Sequence, residues 1–215
     1  VVQKYAGRAL LITTEACPIH CRYCFRRHFP YSNQLASKQN WSKAITALKV
    51  KDDITEVILS GGDPLSLSNR RLAKLISHIE SLVTVTTLRI HTRFPIILPE
   101  RIDTELLELL SRTSLKTVLV VHSNHANEIN EAVSSSMQKL TSSGTHLLNQ
   151  SVILKGINDN VHQLEELSRS LFRCGVLPYY LNLLDPVEGS AHFNVDAKHA
   201  EQLIAELRHR LPGYL

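Results

Sequence analysis

Cys17, Cys21 and Cys24 follow the pattern Cys-x3-Cys-x2-Cys. Thiolates are soft ligands, and three on one short loop can face a single centre, as both zinc and iron–sulfur clusters require. Structural zinc is tetrahedral and closed, so zinc would need a fourth ligand, for which His20 and His28 stand near in sequence. A [4Fe–4S] cluster held by three cysteines leaves one iron without a protein ligand, open to a substrate or cofactor. Buried thiols with no ligand are the third alternative. Cys174 has no thiol neighbour in sequence and reads as a small core residue. Four cysteines in 215 residues do not make a disulfide framework; clustered as they are, they suit metal binding in a reducing cytoplasm.

Composition narrows the classes further. An apolar fraction of 43% is ordinary for a globular protein and argues against wholesale disorder. No apolar run approaches the ~18 residues of a membrane span. Lys and Arg number 24 against 20 Asp and Glu, and the one basic knot, Arg22, Arg26, Arg27 and His28, is interleaved with cysteines. Such a knot suits a small anionic ligand better than a nucleic-acid backbone, so neither nucleic acid nor membrane is expected as a partner. The chain opens at Val1 without a starting Met, and it reads as a piece of a longer protein.

The elements that must position the cysteines recur along the chain. β-rich apolar runs occupy residues 9–13, 56–59, 87–91, 117–122, 151–154 and 180–184. From the second onward they are spaced by roughly 30 residues, room for a strand and its returning helix. Leu72, Leu75, Ile76, Ile79 and Leu82 lie at helical spacing after a candidate N-cap, Ser68. Leu164, Leu167 and Leu171 do so before Gly175, a natural C′ residue, and Asp196 is placed to cap a last helix with Leu203, Ile204, Leu207 and Leu211. Polar or turn-forming residues follow every strand, among them Ser60–Pro64, Thr92 and Arg93, His122–His125, Asn158 and Asp185. A barrel gathers all its βα loops at one mouth, whereas an open doubly wound sheet concentrates them at one switch point. The expected fold is therefore α/β, a partial (β/α)6 barrel forming one domain over residues 1–215.

The first-strand motif with its aromatic Tyr23, the run Phe25, Arg26, Arg27, and the segments Ser60–Pro64, Thr92–Pro95, His122–Glu128, Gly156–His162 and Pro178–Asp185 together resemble the radical S-adenosylmethionine (SAM) superfamily. Within it they are similar to the lysine 2,3-aminomutases, closest to the branch whose product is attached to elongation factor P. The resemblance spans essentially the whole chain and implies a radical SAM core lacking an N-terminal segment and a C-terminal segment. It implies that Cys17, Cys21 and Cys24 hold a [4Fe–4S] cluster whose fourth iron binds SAM. Tyr23, Ser60, Gly61, Gly62, Asp63, His122 and Gln150 would line the SAM site. Arg26 would grip the substrate carboxylate, a task suited to its bidentate fork, and Asp185 the side-chain ammonium of lysine. Lys4 and Arg8 match basic positions near pyridoxal phosphate (PLP), whose Schiff-base lysine would lie beyond Leu215. The implied reaction is the isomerisation of L-lysine to β-lysine, with flavodoxin or ferredoxin as electron donor and a separate ligase delivering the product to elongation factor P. The rival expectations are a free-standing lysine or glutamate mutase and, from another class, a zinc-stabilised RNA-binding module.

Overall fold

A computed structural model describes residues 6–26 and 38–215. Six parallel strands, β1 (Arg8–Thr14), β2 (Glu56–Gly61), β3 (Thr87–His91), β4 (Lys116–Val121), β5 (His146–Val152) and β6 (Val176–Asn182), pair strictly in chain order. The described helices are α1 (Lys38–Lys49), α2 (Asn69–Glu80), α3 (Phe94–Ile97), α4 (Thr104–Arg112), α5 (Glu131–Ser142), α6 (Val161–Arg173) and α7 (Ala197–Arg210). β1 and β6 each pair on one side only, so the sheet stays open. This is the expected partial barrel.

Alternation along each strand sorts the two faces. Ala9, Leu11, Val57, Leu59, Leu88, Ile90, Leu119, Val121, Leu147 and Val176 enter one apolar core with Leu72, Leu75 and Ile76 of α2, Met137 and Leu140 of α5 and Leu167 and Leu171 of α6. The alternate positions on the other face include Ile12, Ser60, His91, Val120 and Gln150, and His122 continues this row just past β4. Deeper on that face Arg89 forks onto Glu56 at 2.7–2.9 Å. Ile153, Val161, Leu164, Val195, Ala200 and Leu203 make a second apolar cluster holding α7 against α6 and the end of β5.

β3 has the expected bounds, and β1, β2 and β4 differ by one or two residues at their ends. β5 and β6 begin five and four residues earlier than the apolar runs suggest. In β5 the polar pair Asn149 and Gln150 lies inside the strand, while Ile153 and Leu154 are buried beyond its end. In β6 Pro178 argues against a strand, yet β6 is an edge, where a residue without an N–H is tolerated.

The caps follow sequence chemistry with one exception. Asp196 accepts from the amides of Lys198 and His199, and Gly175, at φ +77°, ends α6 in the left-handed region. Ser68 stands at the N-cap of α2 but makes no side-chain capping bond. Cys174 is buried, its Sγ donating to Ser134 Oγ at 3.3 Å. No helix among the described residues is long and apolar enough to cross a membrane.

Candidate active site at the C-terminal mouth of the sheet

The cysteine segment leaves β1 and folds back over the end of β2. Gly62 N–H donates to Thr14 O at 2.7 Å and Asp63 N–H to Ala16 O at 2.8 Å. A Cβ at Gly61 would lie 2.4 Å from Thr14 O, and one at Gly62 would lie 2.3 Å from Ala16 O. These glycines therefore let the chain leading into Cys17 lie directly on β2, a contact of backbone with backbone.

Asp63 is 2% exposed, and its carboxylate is shared among neighbouring loops. Oδ1 accepts from the Leu65 amide at 3.0 Å and Thr92 Oγ1 at 2.8 Å, and Oδ2 from the Arg93 amide at 2.7 Å. Burial pushes this carboxyl above its ordinary value, against the pull of those bonds and of Arg26. Asp63 thus ties the end of β2 to the loop after β3.

Arg93 is the hub of the mouth. Its Nη1 donates to Cys21 Sγ at 3.1 Å and to Tyr23 Oη at 2.5 Å, while Nη2 meets Glu128 Oε2 at 2.6 Å. Burial works against its charge, but Tyr23, Cys21 and Glu128 outweigh it and hold the guanidinium protonated. Tyr23 Oη also accepts from Asn124 Nδ2 at 2.6 Å, and burial pushes its phenol up to about 12. Behind Asn124 runs a buried amide network. Asn158 donates to Asn124 O at 2.8 Å, Asn124 Oδ1 accepts from the Val152 amide at 2.9 Å, and Asn149 exchanges two bonds with the Ser123 backbone. The loops after β1, β3, β4 and β5 are thereby fixed to one another.

Of the expected site residues, Cys21 and Cys24 share a tight turn closed by Cys24 N–H to Cys21 O at 3.1 Å, and Cys17 precedes it on the same segment after β1. Burial pushes the Cys17 thiol up, the Ile19 amide pulls it down, and Asp63, Cys21 and Cys24 push it up again. Among the described residues no group of three His, Cys, Asp or Glu is gathered for a single metal ion. His122 and Gln150 meet at 3.3 Å. Arg26 reaches into the same mouth, donating to Gly61 O and raising the positive potential felt by His91 and His122. Asp185 is exposed on the loop after β6. Arg8 stands at the opposite end of β1, 3.5 Å from Glu56. Lys4, Arg27 and His28 lie outside the described residues. Sequence reasoning assigned no role to Arg93, Asn124 or Glu128, although the polar density of His122–Glu128 was a usable signal.

The mouth fits a polar ligand. Ser60 Oγ, His91 Nε2 and Arg93 Nε are buried there without a hydrogen-bond partner among the described residues. Such groups are costly unless something satisfies them. Three soft thiols beside them are a donor set for an iron–sulfur cluster.

The radical SAM superfamily profile matches residues 11–168, which covers the cysteine turn and the strand ends just described. The chain belongs to the radical SAM superfamily. As a radical SAM protein it has solved relatives of the same fold. It superposes on Streptococcus suis SuiB bound to S-adenosylmethionine with a TM-score of 0.65 at 14% identity, covering 96% of this chain and 45% of that one. It superposes on native anSMEcpe with bound AdoMet and Cp18Cys peptide with a TM-score of 0.68 at 13% identity, covering 93% and 58%. In sequence it is 46% identical over its whole length to an L-lysine 2,3-aminomutase of Haemophilus influenzae and 45% identical to one of Escherichia coli. It spans 64% and 63% of those two proteins, under two thirds of each.

The two imidazoles make an acid-stability prediction. Burial holds His91 down to about 3, helped by His122, Arg26 and Arg89; burial holds His122 down to about 3, helped by Arg26 and Arg93. Both are neutral in the folded radical SAM domain at pH 7, whereas the unfolded chain takes up their protons below about 6.5. Stability is therefore full above that value and is lost as pH falls from about 6.5 toward 3. Between pH 7 and 5 the loss is about 1–2 kcal/mol for each imidazole. Urea unfolding midpoints of the metal-free protein should fall over this interval, and His122→Gln should flatten the slope. A wild-type slope in that variant would remove His122 as a contributor.

Proposed function

We propose that this chain is the radical SAM core of an L-lysine 2,3-aminomutase, an isomerase that converts L-lysine to β-lysine. The observation that carries this reading is the identity of 45–46% along the entire chain to proteins of that name. A further relative of that name, from Clostridium subterminale, is 35% identical over all 215 residues. We further propose that β-lysine is destined for elongation factor P through a separate ligase, that flavodoxin or ferredoxin supplies the electron, and that the protein works in the reducing cytoplasm.

Cys17, Cys21 and Cys24 would hold the [4Fe–4S] cluster. Tyr23, Ser60, Gly61, Gly62, Asp63, His122 and Gln150 would surround SAM, with the unpaired Ser60 Oγ free to bond it. Lys4 and Arg8, the latter beside Glu56 deeper on the face that carries Ile12 and Ser60, would serve the PLP phosphate. When bound, these groups supply a strong reductant, a radical able to take a substrate hydrogen, and a carbonyl that carries the migrating nitrogen. The chain's own residues bind and orient. Arg26, already directed into the mouth, would pair with the lysine carboxylate, and Asp185 would receive the distal ammonium, which disfavours glutamate as substrate. The neutral His122 and Gln150 pair offers hydrogen bonds without adding charge.

The decisive test incubates the complete protein anaerobically with lysine, SAM, PLP and a reductant, then resolves the products by chiral chromatography. β-Lysine supports the proposal. SAM cleavage with no β-lysine would assign the chain to another radical SAM reaction, and a colourless protein with one tight zinc would move it to another class. Replacing Arg26 with Gln removes a charge-assisted pair of about 1.5–3 kcal/mol, so KM for lysine should rise roughly 10- to 100-fold while uncoupled SAM cleavage persists. An unchanged KM would strip Arg26 of the carboxylate role.

A further inference from the structure

We infer that Arg93 is a positioning residue for the iron–sulfur cluster, donating a charged hydrogen bond to the Cys21 ligand and thereby raising the cluster's reduction potential. This rests on the assignment of the cluster to Cys17, Cys21 and Cys24.

The geometry is specific. One Arg93 nitrogen reaches Cys21 Sγ at 3.1 Å and the other is held by Glu128 at 2.6 Å, a contact with both partners largely buried. Its main chain is fixed as well, since the Arg93 amide donates to the buried carboxylate of Asp63 at 2.7 Å. Glu128 is itself locked, accepting from the amides of Asn124 at 2.6 Å and His125 at 3.0 Å. The guanidinium therefore cannot swing away from the sulfur without breaking its bonds to Tyr23 and Glu128, on the loops after β1 and β4. Cluster potentials respond to hydrogen bonds on their sulfurs and to nearby charge. A cation bonded to a ligand thiolate stabilises the more negative, reduced state and so moves the potential upward. Nothing in sequence spacing marks this residue, because it touches Cys21 only through the fold.

The test uses the complete protein, reconstituted anaerobically. Arg93→Met and Arg93→Gln are compared with wild type for iron and sulfide content and, without substrate, for midpoint potential by redox titration monitored by electron paramagnetic resonance. Arg93→Met should load iron as wild type does, with a more negative midpoint. At the wild-type midpoint its oxidised-to-reduced ratio should rise about tenfold, or 59 mV for one electron. Arg93→Met fully loaded with an unchanged midpoint overturns the inference. Should Arg93→Met fail to load, Arg93→Gln decides. Glutamine keeps a polar donor without the charge, so a negative shift supports the role and a wild-type midpoint refutes it. Absence of iron uptake by wild type would instead defeat the cluster assignment beneath it.

Discussion

Replacing Cys21 with alanine should abolish reductive cleavage of SAM while leaving the fold intact. Cys21 lies on a partly exposed turn outside both apolar clusters, so its side chain contributes little to folding. Its sulfur, however, is one of only three thiols on the segment after β1, and the fourth cysteine is buried on the far side of the sheet beside Ser134. Two thiolates seldom retain a cluster that three hold, and no spare cysteine stands near to substitute. The expected result is a circular dichroism spectrum like that of wild type, loss of the brown absorbance, and 5′-deoxyadenosine at the no-enzyme baseline. Wild-type cleavage by this variant would remove the cysteine turn from the chemistry altogether.

Gly62→Ala should be severely damaging in the mouth. The added Cβ would lie 2.3 Å from Ala16 O, 2.4 Å from Glu15 O and 2.6 Å from the Glu15 carbonyl carbon. These are backbone atoms, so no rotamer change relieves the clash; the cysteine segment or the end of β2 must move. Overpacking of this kind costs about 1–3 kcal/mol, and more where the backbone is fixed by short hydrogen bonds, as at Gly62 N–H to Thr14 O. The variant should show a lower urea midpoint and should bind less than half the wild-type iron. Wild-type values for both would mean that the segment is looser than its contacts indicate.

How far the sequence revealed this arrangement depended on the kind of signal. Leu72, Leu75, Ile76 and Ile79 announced α2 because period 3.6 is a local property, and all four are buried. β5 and β6 were displaced because hydrophobicity located burial rather than pairing. Asn149 and Pro178, poor strand residues in isolation, are kept in the ladder by tertiary partners and an edge position. In the site, the cysteine spacing was legible since all three thiols lie on one short segment after β1. Gly61 and Gly62 were legible as a close approach, but the partner is the chain's own Thr14–Ala16 backbone. Asp63 looked ready for a ligand and is already shared by Thr92, Arg93 and Leu65. Arg93 was invisible for the opposite reason: 72 residues separate it from Cys21, and only the side-by-side pairing of β1, β2 and β3 brings them together.

Pairing each strand with its immediate successor has a temporal consequence. As the ribosome releases the chain, each new βα unit can dock on the free flank of the last, so contacts form early and between near neighbours. The catalytic mouth matures on a different schedule. Tyr23, contributed by the first unit, must wait for Asn124 of the fourth, which in turn is braced by Asn158 of the fifth. A nascent chain therefore displays its three clustered thiols well before the fourth and fifth units can brace the segment that carries them.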